Sequence, residues 1–270
     1  MLVTESYQDI TTPTGPMRIH FLTPKIPQYP HAKFPGVLVY SEIYQTTAPV
    51  LRFAQSIASE GYVVAAPCVF HEFEGAQPIS YDAEGTDRGN KYKYEKTLQA
   101  YNDDNKLALD ALSEHPSCNG RLASTGMCLG GHLAFRAAFD SRVEATVCYF
   151  PTDIHDEKLS SEGSDTLKRA GEIKESTEVV MYFGVDDTHV DLAGRTKIRD
   201  TLTNLPKPFR LSFLELQAAH AFIRDSNSKG RWDGSLSRVC FSLLLEVFGR
   251  TVGVDKGERD QKREGLEHVC

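Results

Sequence analysis

The sequence is short of positive charge. Its 30 Lys and Arg face 37 Asp and Glu, a formal charge of −7 over 270 residues. That balance lacks the basic footprint that binding a phosphate backbone demands, so nucleic acid is not an expected partner. Long apolar runs are missing too: no stretch approaches the roughly 18 residues that a membrane-spanning helix needs, so no membrane partner is expected. The opening MLVTESYQDI has no basic segment leading into an apolar one and does not read as a secretory signal. Among the 6 cysteines there is no C-x-x-C pair, which removes local support for a zinc or thioredoxin-like site. Without an export signal, these cysteines read as reduced thiols in a cytoplasmic protein.

What is present is an ordinary globular composition, 40% hydrophobic and 25% charged, at a length one α/β domain can fill. Short apolar runs rich in β-formers alternate with longer stretches at helical spacing. Strands are expected at 17–22, 36–40, 62–66, 122–126, 145–150, 179–183 and 209–214. Helices are expected at 49–60, 92–114, 130–139, 192–205 and 235–248. Such βαβα alternation implies a mostly parallel sheet with helices on both faces. Residues 68–91, rich in Gly, Asp, Glu and Pro, interrupt the rhythm and are expected to be an irregular excursion that lines or covers a site. Residues 1–250 are expected to form a single domain, and 251–270, dense in charge, a flexible tail.

The densest chemical signal is Gly126-Met127-Cys128-Leu129-Gly130-Gly131, between an expected strand and an expected helix. This is a G-x-C-x-G-G version of the nucleophile elbow, whose glycines permit a sharp turn crowded by the neighbouring strand. The turn lifts the Cys128 sulfur to the C-terminal edge of the sheet. It also aims the Leu129 N–H and the positive end of the next helix at the reaction centre. A thiol nucleophile needs a base and a group to orient that base. In α/β-hydrolases the acid and then the histidine follow the nucleophile, each in a loop after a later strand. The strand at 179–183 runs into Gly184-Val185-Asp186-Asp187, and the strand at 209–214 is followed by Gln217-Ala218-Ala219-His220. Asp186 or Asp187 is therefore the candidate acid and His220 the candidate base, with His189 a rival if its loop folds differently.

On these motifs the chain resembles the dienelactone hydrolase family of α/β-hydrolases, from about Gly36 to Phe248. Cys128-Leu129-Gly130-Gly131 is similar to that family's C-L-G-G elbow, and Ser41-Glu42-Ile43-Tyr44 to its strand-end E-I-F segment. Gly184 to Val190 resembles its G-x-x-D loop, and His220-Ala221-Phe222-Ile223-Arg224 its H-x-F-x-R run. The resemblance implies the α/β-hydrolase fold and selects Asp187 over Asp186. It implies that Glu42 contacts the resting Cys128 thiol, that the N–H groups of Ile43 and Leu129 form an oxyanion hole, and that Arg224 binds a substrate carboxylate. An anionic substrate arriving at Arg224 would displace Glu42 and help His220 form the thiolate. The thiolate would attack the ester carbonyl, and water activated by His220 would release the acyl group. A second family arginine lies in the excursion after Pro67, where Arg88 is the candidate, with Lys91 and Lys93 near it and Tyr81 lining the same pocket. Gln45 departs from the family's usual glycine after E-I-F.

The expected function is hydrolysis of a lactone or ester through Cys128, on a small carboxylate-bearing substrate. No metal or organic cofactor is implied, and a monomer or homodimer is expected. Two readings compete: a carboxylesterase or thioesterase-like hydrolase of neutral substrates, and a non-catalytic binding module on the same fold. His71-Glu72-Phe73-Glu74 lacks the paired histidines of a zinc helix and reads as a polar loop. His132 and Trp232 read as packing residues.

Overall fold

In strand β3 (Phe34–Tyr40), Val37 and Val39 pack on one side of the sheet and Leu38 and Tyr40 on the other, and all four are buried. A strand buried on both faces needs helices on both. The computed structural model, which describes residues 1–254, supplies them. Its chain order is β1 (Leu2–Thr12), β2 (Gly15–Lys25), β3, α1 (Ala48–Ser59), β4 (Val63–Pro67), α2 (His71–Glu74), α3 (Ala83–Glu95) and α4 (Leu98–Glu114). There follow β5 (Cys118–Met127), α5 (Leu129–Ala137), β6 (Val143–Tyr149), α6 (Thr166–Arg169), β7 (Glu178–Gly184), α7 (Leu192–Thr203), β8 (Arg210–Leu216) and α8 (Gly234–Thr251).

The strands form one 8-stranded sheet in the order β1-β2-β4-β3-β5-β6-β7-β8. From β4 to β8 every pairing is parallel, while β1 and β2 form an antiparallel hairpin that joins through β2 to β4. Helix α1 (Val50, Ala54, Ile57) and helix α8 (Leu244, Val247, Phe248) cover the Val37 face. Helices α4 (Ala108, Leu109, Leu112), α5 (Leu133, Ala134) and α7 (Ile198, Leu202) cover the other. The loops that leave the C-terminal ends of the parallel strands thus converge on one edge, where such sheets bind ligands.

Three elements differ from the sequence expectation. Strand β1 carries no apolar alternation because it is the outer edge of the sheet and most of its residues are exposed. The excursion after Pro67 is largely helical: Asp82 caps α3, accepting from the Gly85 N–H at 2.7 Å. The expected helix at 92–114 is two helices. Lys96 leaves the helical conformation and Thr97 caps α4, accepting from the Ala100 N–H at 3.1 Å.

The break lets the fully buried Lys96 side chain reach the carboxylates of Glu72 and Asp104, at 2.5 and 2.8 Å. A buried charge has to be paired, and this one is clamped from α2 and α4 together. His71, read from sequence as part of a polar loop, is buried in the same cluster with Nε2 3.0 Å from Asp104. His71, Glu72 and Asp104 converge closely enough to hold a cation, and the Lys96 ammonium is the cation that lies between the carboxylates. The excursion is therefore tied to the body of the protein by an ion cluster. The expected tail falls on residues 251–270, of which 255–270 lie outside the described residues.

Candidate active site

At the end of β5 the chain turns into α5 with almost no clearance. A side chain on Gly126 would put its Cβ 2.3 Å from the Gly130 carbonyl oxygen, and one on Gly130 would sit 2.3 Å from that of Tyr40. With glycine at both places the turn closes. Cys128 takes the strain of it, at φ 58° and ψ −121°, in a region that side chains rarely occupy. Its backbone is held on both sides: the N–H donates to the Tyr149 carbonyl at 3.0 Å, and the carbonyl accepts from Gly131 and Thr152.

After β7, Asp186 and Asp187 part company. Asp186 accepts from the Gln217 side chain at the surface. Asp187 is buried, with one carboxylate oxygen accepting from the His189 N–H at 2.8 Å and the other 2.7 Å from His220 Nδ1. His220, in the loop after β8, is packed edge-on against Phe150. Burial alone would push its pKa down. The facing Cys128 and the bonded Asp187 outweigh that and carry it up to about 10, so the imidazole is held protonated at neutral pH. His189 lies beside it, ring centres 4.3 Å apart, and burial and the neighbouring cations hold its pKa below the ordinary value. The His189 imidazole makes no bond to Asp187, which takes only its backbone N–H, so the aspartate is paired with the ring of His220. His132, in α5, is buried against Thr166 with its pKa pushed down to about 3 by desolvation.

The loop after β3 faces this group across the pocket. Gln45 adopts φ 66°, the left-handed conformation a glycine would take freely. Its side chain offsets the strain. The amide Nε2 donates to the carbonyls of Gly75 and Gln77, and Oε1 accepts from the Phe70 N–H at 2.6 Å. The departure from glycine is thus a buried clip between the β3 loop and the excursion. Gly89 of α3 lies against the same loop, where a Cβ would come 2.4 Å from the Ile43 carbonyl oxygen. Within the described residues, no protein acceptor takes the N–H of Ile43 or of Leu129. Ile43 lines the cavity.

Glu42 is not placed as the resemblance implies. Its carboxylate oxygens sit 3.2 and 3.1 Å from Arg224 Nη1, and Tyr81 donates to it at 3.3 Å. A buried carboxylate gains more from a guanidinium than from a neutral thiol, which is the physical reason for the difference. Arg224 is further held by the Asn227 carbonyl at 2.9 Å and lies 4.5 Å over the Tyr81 ring. Tyr81 stands behind this pair, bonded to Thr47 at 2.7 Å, and does not line the pocket itself. Arg88 is also elsewhere: on α3 it turns to Glu74, 3.5 Å away, and does not line the cavity that holds Cys128.

The cavity over Cys128 measures about 330 Å³ and is lined by Glu42, Ile43, Tyr44, His220 and Arg224. It is also lined by Lys93, named from sequence only as a neighbour of Arg88, and by residues that no motif singled out. Asn90 and Lys93 come from α3, Asp153 from the loop after β6, and Lys229 and Arg231 from the loop before α8. Lys93 is locked to Asp153 at 2.9 and 3.0 Å. The Asp82 helix cap was the one local signal that could have revealed α3. Asp153 and the loop before α8 carry none.

The strand ends that bring Cys128, Asp187 and His220 together are those an α/β-hydrolase uses, and that is the class of this fold. Residues 22–246 match the Dienelactone hydrolase family. A Saccharomyces cerevisiae protein named "Putative carboxymethylenebutenolidase" is 50% identical, covering 100% of both chains. A carboxymethylenebutenolidase of Pseudomonas putida is 23% identical over 73% of this chain and 78% of its own. Among solved structures, a dienelactone hydrolase-like promiscuous phosphotriesterase from metagenomic libraries superposes with a TM-score of 0.71 at 19% identity, covering 92% of this chain and 98% of that one. The chain belongs to the dienelactone hydrolase family and is a hydrolase. Among the described residues, no helix is long and apolar enough to cross a membrane.

Proposed function

We propose that the protein hydrolyses a small carboxylate-bearing lactone or ester through Cys128 as the nucleophile. The observation that carries this reading is the position of His220, which interacts with the Cys128 sulfur on one side and Asp187 on the other. A protonated imidazole opposite Cys128 favours the thiolate, the form that attacks a carbonyl. The oxyanion would take the N–H groups of Ile43 and Leu129. His220 would protonate the leaving oxygen and then draw a proton from the water that releases the acyl group. A cavity of about 330 Å³ suits a small substrate. The free thiols of Cys68, Cys118, Cys148 and Cys240 are consistent with a reducing, cytoplasmic setting.

The neutral-ester reading has one observation in its favour. Arg224, the expected carboxylate site, already has its charge compensated by Glu42. The test sets dienelactone beside a neutral aryl ester, wild type against Cys128→Ala and His220→Ala. The expected outcome is turnover favouring the lactone, and a loss of about 1,000-fold or more in kcat for each variant. Activity that survives Cys128→Ala would remove the nucleophile assignment, and turnover of the aryl ester alone would remove the anionic substrate.

A further inference from the structure

The loop that carries Asp187, residues 184–190, is gripped by a buried side chain that does not line the cavity. Arg195 lies in the first turn of α7. Asp191 caps that helix, accepting from the Gly194 N–H at 2.7 Å, so α7 begins directly after the loop and brings Arg195 within reach of it. One nitrogen, Nη1, donates to the carbonyls at both ends of the loop, to Val190 at 2.8 Å and to Gly184 at 3.4 Å. Asp187 lies between those two points, and its own N–H donates to the same Gly184 carbonyl at 3.3 Å.

The other side of the guanidinium faces the next strand. Nε lies 3.6 Å from the carboxylate of Glu215, which stands on β8 opposite Phe183 of β7 and one residue before β8 ends. Beyond that end the chain enters the loop that carries His220. Arg195 therefore touches the acid's loop at both ends and the strand that delivers the base. A buried guanidinium has to have its charge paired and its donors used, and Glu215 and the two carbonyls meet those needs. The carbonyls gain in turn, because a charged donor makes a stronger bond than a neutral one. What depends on this grip is the 2.7 Å contact between Asp187 and His220 Nδ1. Such a bond is gone by about 3.6 Å, so a loop displacement of roughly 1 Å is enough to break it.

We infer that Arg195 is a positioning residue for the triad: it ties both ends of the Asp187 loop to β8, holds the carboxylate on His220 Nδ1, and so keeps Cys128 reactive. This rests on the hydrolysis proposed above, in which His220 activates Cys128.

The rate at which iodoacetamide alkylates Cys128 at neutral pH reads that activation without any turnover. It is measured on wild type, Arg195→Met, Arg195→Lys and His220→Ala, under conditions where denaturant unfolding shows each to be folded. Arg195→Met should lose about tenfold in rate, towards His220→Ala, and kcat should fall with it while KM changes less. Arg195→Lys keeps a cation and its donors but loses the planar fork, and its rate should fall between those of Arg195→Met and wild type. A role in stability alone would lower the unfolding midpoint and leave the rate of the folded protein where it was. A wild-type rate in either folded variant would overturn the inference, and Arg195→Lys carries the test if Arg195→Met does not fold. If wild type and His220→Ala alkylate alike, it is the hydrolysis proposal that fails, and the role of Arg195 with it.

Discussion

Two regions meet at Cys128, and they are specified in different ways. The elbow between β5 and α5 is fixed by backbone contact, with Gly126 and Gly130 pressed against carbonyl oxygens that leave no space for a side chain. The excursion between β4 and α4 is fixed by distant side chains: Lys96 on Glu72 and Asp104, and the Gln45 clip on Phe70, Gly75 and Gln77. The first arrangement has to be written into consecutive residues. The second is spread over residues 42–104 and exists only once the chain has folded. The contrast explains why chemistry and substrate choice differ in how openly they are encoded.

Gly130→Ala should have the largest effect. Its Cβ would meet two main-chain oxygens, of Tyr40 and Ser41, which cannot swing aside. The expected cost is roughly 3 kcal/mol of stability, read by denaturant unfolding and exceeding the ~1 kcal/mol that alanine gains in a helix. A variant as stable as wild type would mean that the elbow tolerates adjustment and is not set by backbone contact.

Gly89→Ala probes the excursion's hold on the catalytic side. The new Cβ presses on the carbonyl oxygen of Ile43, a residue that lines the cavity. If the Ile43 N–H is the oxyanion donor proposed above, the expected result is a fall of about tenfold or more in kcat with a smaller change in KM, because such a donor acts mainly in the transition state. Unchanged kcat in a folded variant would detach α3 from the oxyanion loop.

Arg88→Gln should do least. The side chain is paired with Glu74 in a partly exposed bridge, and such bridges contribute about 1 kcal/mol or less. Kinetics on anionic and neutral substrates should match wild type, whereas a rise in KM confined to the acid would return Arg88 to the substrate side.

Legibility in the sequence follows the same division. The strand and helix alternation from 36 to 248 was readable because parallel strands buried on both faces show as short apolar runs. Cys128, Asp187 and His220 were nameable because each sits at a strand end in a short motif, and Gly184 lets β7 pass within contact of Ala218. Strand β1 was not readable, since an exposed edge needs no apolar pattern. Arg88 is the candidate because it is the only arginine in 68–91, and the sequence does not show which face of α3 meets the cavity. The link from Glu42 to the thiol comes from the family resemblance alone, and nothing local in the sequence points to Arg224, 182 residues away in the chain. Lys229 and Arg231 sit in a loop with no periodicity at all.

The central claim is that Cys128 is activated by His220, and the rate of Cys128 alkylation against pH, in wild type and His220→Ala, tests it most directly. His220 has its folded pKa raised from 6.5 to about 10. Its paired, protonated form therefore contributes to stability in full below pH 6.5 and is lost as pH rises through about 10. Wild type should alkylate at Cys128 faster than His220→Ala at neutral pH, with loss of hydrolysis in step. Identical profiles for the two proteins, or hydrolysis that persists after Cys128 is alkylated, would contradict the account.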